Sequence, residues 1–214
     1  MVKLVLLVLL LVVDTLNLAA QTILDTLQSP DGMTSVDLYQ GSDSILCFDI
    51  RRNGKAIFEK CRLGFSVNGK NHCILNTDTI VNKRHTNCKS ILQSDFGERK
   101  FQKENYNEYI VSFSNKSLNF DVVIRLYDRA FAIRYSINNN ENFDFIDLTQ
   151  FRLRKDIKAK VFVESKNEKG YQALNSQNGK SICPVFLYND TLYCLVYQRQ
   201  IVWQTFPTLC TTDF

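Results

Sequence analysis

The sequence predicts an all-β chain folded as an antiparallel β-sandwich, and three observations carry that reading. Residues 118–137 alternate apolar and polar side chains with a period of two on both sides of a turn at Asp128-Arg129. Turn-forming stretches recur between short apolar or β-branched runs, at Asn53-Gly54, Asn68-Gly69, Asn138 to Asn142 and Asn189-Asp190. No long stretch has helical periodicity. Many short strands at turn-marked intervals argue for stacked antiparallel sheets.

At the N-terminus, Leu4 to Val13 form an unbroken aliphatic run behind Lys3, followed by the small residues Ala19 and Ala20. This is the pattern of a secretory signal peptide over residues 1–20, and the run is about half the roughly 20 residues that span a bilayer. No later segment is apolar enough to span, so the expectation is a secreted chain, residues 21–214, with no membrane span. That length suits one domain with a substantial core. Net charge is +4 for the whole 214-residue chain and stays at +4 without Lys3 and Asp14. Lys and Arg are interspersed with acids and apolar residues, which reads as a solvated surface and not as a nucleic-acid face.

Strands are expected at residues 34–40, 44–51, 55–61, 106–114, 118–128, 130–137, 143–153, 157–164, 182–188 and 191–203, with loops over 166–180 and much of 75–100. The 118–137 hairpin is the most regular part. Phe120, Val122, Ile124 and Leu126 share one face of its first strand; Phe131, Ile133, Tyr135 and Ile137 continue that face on the second, with Ala132, Arg134 and Ser136 opposite. Asn53-Gly54 is a type I′ hairpin signal, whose register sets Cys47 opposite Lys60 and turns Cys61 to the other side of the sheet.

All seven cysteines follow the signal segment, where an oxidising compartment favours disulfides. An odd number leaves one thiol over, free or available for a covalent dimer. Cys73 and Cys88 enclose a short loop, for which a bridge contributes about 3 kcal/mol in the chain-entropy model, and this pair is the expected disulfide. The same loop holds His72 and His85, but the His72, Cys73, His85, Cys88 spacing fits no common zinc finger. No nucleophile stands with a base, and no glycine-rich phosphate loop occurs. Asn115-Lys116-Ser117 and Asn189-Asp190-Thr191 are N-glycosylation sequons at expected turns.

Five blocks in order carry a family resemblance: SPDG at Ser29 to Gly32, GKAIFEKCRLGF at Gly54 to Phe65, FGERKFQKENYNEY at Phe96 to Tyr109, RLYDRAFAIRY at Arg125 to Tyr135 and DLTQF at Asp147 to Phe151. With them the chain resembles the N-terminal domain of glycoside hydrolase family 97. The resemblance implies a large sandwich of the galactose-mutarotase-like super-sandwich kind, set in that family ahead of a (β/α)₈ barrel that carries the catalytic carboxylates. No barrel is seen up to Phe214. It also implies that Asp147 matches an acidic residue lent to a calcium site shared with the barrel. Phe143, Phe145, Asp147, Thr149 and Phe151 share one strand face, so this carboxylate stands among aromatic side chains and needs a partner.

Trp203, the sole tryptophan, lies in a strongly apolar run, where it packs in a core or stacks on a sugar ring. The functional expectation is a secreted, non-catalytic sandwich that binds a carbohydrate or an extracellular protein partner and needs no cofactor. The alternative is a partial family 97 glycosidase of α-glucosidase or α-galactosidase type. Glycoside hydrolysis needs two carboxyl groups roughly 5 to 9.5 Å apart. Glu104, Glu108, Asp128 and Asp147 are candidate acids, and nothing in the sequence marks any two of them as a pair.

Overall fold

The structure is a computed structural model that describes residues 22–93, 101–137, 143–154, 156–164, 169–173, 182–189 and 193–196. The expected signal segment, Trp203 and Cys210 lie outside the described residues. What is described is all-β and antiparallel. Strands β1 (Ile23–Gln28), β2 (Thr34–Gln40), β3 (Leu46–Arg52) and β4 (Lys55–Arg62) form a meander in the order β1-β2-β3-β4. Strands β5 (Phe65–Val67) and β6 (Lys70–His72) make a short hairpin. A second four-stranded meander follows, with β7 (Thr79–Gln93), β8 (Phe101–Ser114), β9 (Asn119–Tyr127) and β10 (Ala130–Ile137) in the order β10-β9-β8-β7.

Strand β11 (Phe145–Asp147) joins β5 at the edge of the three-stranded sheet β11-β5-β6. Strands β12 (Lys158–Glu164), β13 (Lys169–Ala173), β14 (Ile182–Tyr188) and β15 (Tyr193–Val196) complete a last sheet, ordered β13-β12-β14-β15. Among the described residues no helix is long and apolar enough to cross a membrane.

The sheets close on one apolar cluster. It takes Leu27, Val36, Leu38, Phe48, Ile50 and Phe58 from the first meander and Val111, Phe113, Phe120, Val122, Ile124 and Leu126 from the second. The aromatic members meet edge to face or stacked, as ring quadrupoles favour. Phe151 stands 5.6 Å from Phe48 and 5.4 Å from Phe58, and Phe120 stands 4.9 Å from Phe65 and 5.0 Å from Phe113. Polar clamps bind β1 to the facing sheet: Lys83 donates to the Leu24 carbonyl at 2.7 Å, and Asn107 donates to the Gln28 carbonyl at 2.8 Å.

The β9–β10 hairpin has the expected register, with Phe131 opposite Leu126, Ile133 opposite Ile124 and Tyr135 opposite Val122. Phe131, Ile133 and Tyr135 pack on the core but are half-buried, because β10 is the edge of its sheet. Asn53-Gly54 and Asn68-Gly69 turn the chain with positive φ at both residues, as type I′ geometry requires.

Four sequence expectations need correction. Cys47 faces Arg62 and not Lys60, because β4 carries an extra residue at each of two register shifts. Cys61 still lies on the opposite side from Cys47, since two single-residue shifts restore the alternation. Residues 79–93, expected as loop, form the long strand β7, whose edge position and polar side chains hide the strand pattern. Residues 169–173, also expected as loop, form the edge strand β13. The expected strand 143–153 is regular only over β11. Beyond it the chain follows β4 through isolated bridges, Gln150 to Arg62 and Leu153 to Phe58, because its partner strand is itself bulged and bent.

Candidate functional site

The most chemically varied corner lies where β11 runs along β5. Residues 143–149 alternate half-buried and exposed, so Phe143, Phe145, Asp147 and Thr149 turn inward while Asp144, Ile146 and Leu148 turn outward. Tyr135 reaches this corner from β10. Its hydroxyl accepts the Gly64 backbone N–H at 2.9 Å and pairs with the Thr149 hydroxyl at 2.5 Å. Burial pushes that phenol well above its ordinary pKa, and the nearby Cys73 and Asp147 raise it further. It is a fixed neutral hydrogen-bonding group at any physiological pH. The Asp147 carboxylate accepts the Thr149 N–H at 2.8 Å, which provides the partner that a carboxylate beside aromatic rings requires.

A calcium ion takes six to eight oxygen ligands. This corner offers one carboxylate and two hydroxyls, those of Thr149 and Tyr135, which are already engaged with each other. Among the described residues, no three His, Cys, Asp or Glu side chains gather into a group that could hold a metal ion. The described residues of this corner do not by themselves complete a calcium site.

Each of the four acids with glycosidase potential is engaged by a neighbour. Glu108 holds Arg125 at 2.5 Å, and Glu104 accepts from the Ser90 hydroxyl at 3.3 Å. These two lie four residues apart on one strand, on the order of 13 Å at about 3.4 Å per residue, beyond the span of a hydrolytic pair. Asp128 accepts the Asp31 backbone N–H at 3.0 Å in the β9–β10 turn. Asp147 stands at the β11 corner.

Cys73 and Cys88 are not joined. Cys73 is wholly buried in the apolar cluster just after β6, whereas Cys88 stands midway along β7 opposite Tyr106, and both are free thiols. The long strand β7 carries Cys88 away from the core, which a loop reading of the segment could not show. The histidines part in the same way. His85 lies on β7 with Asp25 at 3.4 Å, while His72 is buried and stacks on Phe65 at 5.0 Å.

Around His72 is a polar network the sequence reading missed: the Asp78 side chain is 0% exposed and its Oδ1 accepts from Asn115 Nδ2 at 2.6 Å. Asp78 sits in a segment taken for loop, and its only sequence signal was the polar Asn-Thr-Asp run after Leu75. Asn189 directly follows β14 and is half-buried, with its amide 3.5 Å from Asp156.

Antiparallel sheets closing on a shared aromatic core, with the one inward carboxylate of this corner held by backbone, define a β-sandwich module. The family comparison makes this specific: residues 27–196 match the glycosyl-hydrolase 97 N-terminal model, and the chain belongs to that family. A search of curated protein sequences gives no match. Solved structures share the fold. A family 97 glycoside hydrolase from Pseudoalteromonas sp. strain K8 in complex with acarbose aligns with TM-score 0.64 at 20% identity. That alignment covers 78% of this chain and 27% of the enzyme. A β-arabinopyranosidase aligns with TM-score 0.66 at 16% identity over 80% of this chain and 31% of that one. The chain thus spans less than a third of the length of these relatives.

Proposed function

We propose that this glycosidase-derived sandwich is a secreted, non-catalytic module that docks a protein partner through its β11 edge. The supporting observation is the exposure of Ile146 (52%) on β11 and Leu148 (39%) just after it, the strand pairing, among the described residues, only with β5. Edge strands are ordinarily protected by charge, proline or a covering element. An apolar, open edge beside a fixed polar corner suits a partner that brings its own apolar surface. Export is supported by the Leu4 to Val13 run behind Lys3. The non-catalytic reading is supported by the engagement of the four acids in ion pairs and hydrogen bonds and by the Glu104–Glu108 separation along β8. The partner class closest to hand is a glycosidase catalytic domain, because the relatives are whole enzymes of which the sandwich is a part.

A second reading, carbohydrate binding, is supported by the same kinship and by Trp203 as a stacking group. Purified protein applied to aryl α-glucosides and α-galactosides, with and without calcium, should give no turnover. Turnover that disappears in Asp147→Ala would show an active site within the sandwich. Addition of a family 97 catalytic barrel should give a complex in sedimentation velocity that Ile146→Lys with Leu148→Lys abolishes at unchanged melting temperature. A glycan microarray signal insensitive to that double variant, without complex formation, would favour the carbohydrate reading.

A further inference from the structure

Asn115 opens the β8–β9 turn, and its side chain is held from both ends. Its Oδ1 accepts the Ser117 N–H at 2.8 Å, the Leu118 N–H at 2.8 Å and the Ser117 hydroxyl at 3.1 Å. Two backbone donors require an oxygen there, so the orientation of the amide is settled by its partners and the nitrogen points the other way. Nδ2 donates to Asp78 Oδ1 at 2.6 Å and lies 3.2 Å from His72 Nδ1, which accepts when the ring hydrogen is on Nε2. Asn115 is half-buried, but the two groups its nitrogen meets are enclosed. The Asp78 and His72 side chains are 0% and 4% exposed, and the His72 ring is packed against Phe65 and Phe120.

The other Asp78 oxygen accepts the Ile74 N–H at 3.1 Å, so one buried carboxylate ties the β6–β7 connection to the β8–β9 turn through Asn115.

We propose that the Asn115-Lys116-Ser117 sequon is closed to glycosylation in the folded protein: Asn115 Nδ2 is the internal cross-link between Asp78 and His72, and a chain glycosylated there does not reach this fold. N-glycosylation forms a bond from the amide nitrogen to the anomeric carbon of a sugar carried on a lipid diphosphate. The diphosphate departs with the bonding pair, and the nitrogen loses one of its two hydrogens as a proton. Nδ2 lies 2.6 Å from Asp78 Oδ1 and 3.2 Å from His72 Nδ1, which are themselves 3.5 Å apart, so a sugar on Nδ2 must crowd the carboxylate or the imidazole. It would also put a bulky polar group against the rings that flank His72. The modification and this packing are mutually exclusive.

The test uses the full chain with Asn189→Gln, so that Asn115 is the remaining sequon residue of the two, expressed behind a heterologous signal peptide in a eukaryotic secretory host. The result therefore does not depend on the chain's own leader or on any partner. Intact mass before and after peptide N-glycosidase is compared for medium and cell-retained protein. Secreted protein should show no glycan mass, with any glycosylated form confined to the cells. Ser117→Ala removes the sequon but leaves the amide in place, and should be secreted at equal or greater yield with an unchanged melting temperature. Asn115→Gln removes the sequon and displaces the nitrogen, and should lower the melting temperature or be lost from the medium. A glycan on Asn115 of secreted protein that melts with the Ser117→Ala form would overturn the proposal. Equal melting of the Asn115→Gln and Ser117→Ala forms would do so as well.

Discussion

The β9–β10 and β3–β4 hairpins are both closed by two-residue turns, yet one keeps its register and the other does not. Strands β9 and β10 pair without a shift from Ala130 opposite Tyr127 to Ile137 opposite Phe120. Strands β3 and β4 begin in register at Arg52 opposite Lys55 but have slipped by two residues at Cys47 opposite Arg62. The turn sets only the nearest pairs; farther along, side chains decide. In β9 and β10 every second residue on one face is a large apolar group, so any slip exposes the whole row.

In β4 the apolar positions are Ala56, Ile57, Phe58 and Cys61, which do not alternate, and bulges bring Phe58 and Cys61 onto the core. The bulged backbone is then satisfied locally. Lys60 adopts φ 55°, and its N–H donates to Asp49 Oδ1 at 2.7 Å. That carboxylate also accepts the Tyr39 hydroxyl at 3.0 Å, and Arg51 bridges it to Asp37. Regularity in one hairpin comes from apolar periodicity, and irregularity in the other is held by a polar lattice.

The largest effect should come from breaking the regular hairpin. Ile133→Asp places a carboxylate between Phe131 and Tyr135 against the core and should cost at least about 3 kcal/mol, abolishing folding or secretion. Ser136→Asp on the exposed face should change stability by no more than roughly 0.5 kcal/mol. Equal melting of the two variants would mean the register assigned to β10 is wrong.

Asp78→Asn is the next largest. An amide has one oxygen, whereas Asp78 accepts at both of its own, from Asn115 and from Ile74. Whichever way the new amide turns, one buried donor meets another donor, and denaturant unfolding should register a loss of about 1–3 kcal/mol. A neutral result would show that the buried network contributes nothing to stability.

The bulge itself should respond in the opposite direction. Lys60→Gly relieves the left-handed backbone at a solvent-exposed position, and the gain should exceed the added flexibility of the unfolded chain. A stabilisation of roughly 0.5–1 kcal/mol is expected, measurable as a higher melting temperature. If this variant is destabilised, Lys60 makes contacts beyond the bulge.

The smallest effect at neutral pH concerns Cys61, whose thiol burial pushes up to about 12 from an ordinary 9.0. Native protein at pH 8 should resist alkylation at this residue and become labelled only after unfolding. Because the folded state holds the proton through the window from 9 to about 12 while the unfolded chain releases it, this thiol's contribution to stability falls as pH rises through that window. Labelling of Cys61 at the rate of a denatured control would show that the β3–β4 bulges do not keep it in the core.

What the sequence by itself determined are the features set by near neighbours along the chain. The all-β class, the turns at Asn53-Gly54 and Asn68-Gly69, and the face shared by Phe131, Ile133 and Tyr135 all follow from period-two alternation and the φ demands of particular residues. The inward turn of Asp147 was legible for the same reason: it alternates with exposed Ile146 and Leu148. Tertiary structure alone decided which distant groups meet. Strand β7 is polar and lies at an edge, so it shows little apolar rhythm; its pairing with β8 is what makes it a strand.

The same holds for the separation of Cys73 from Cys88 and for the Asp78, Asn115 and His72 network, which joins groups 37 and 43 residues apart in the chain. A buried hydrogen bond depends on distance and angle in space, and sequence spacing carries no trace of either once the partners lie on different hairpins.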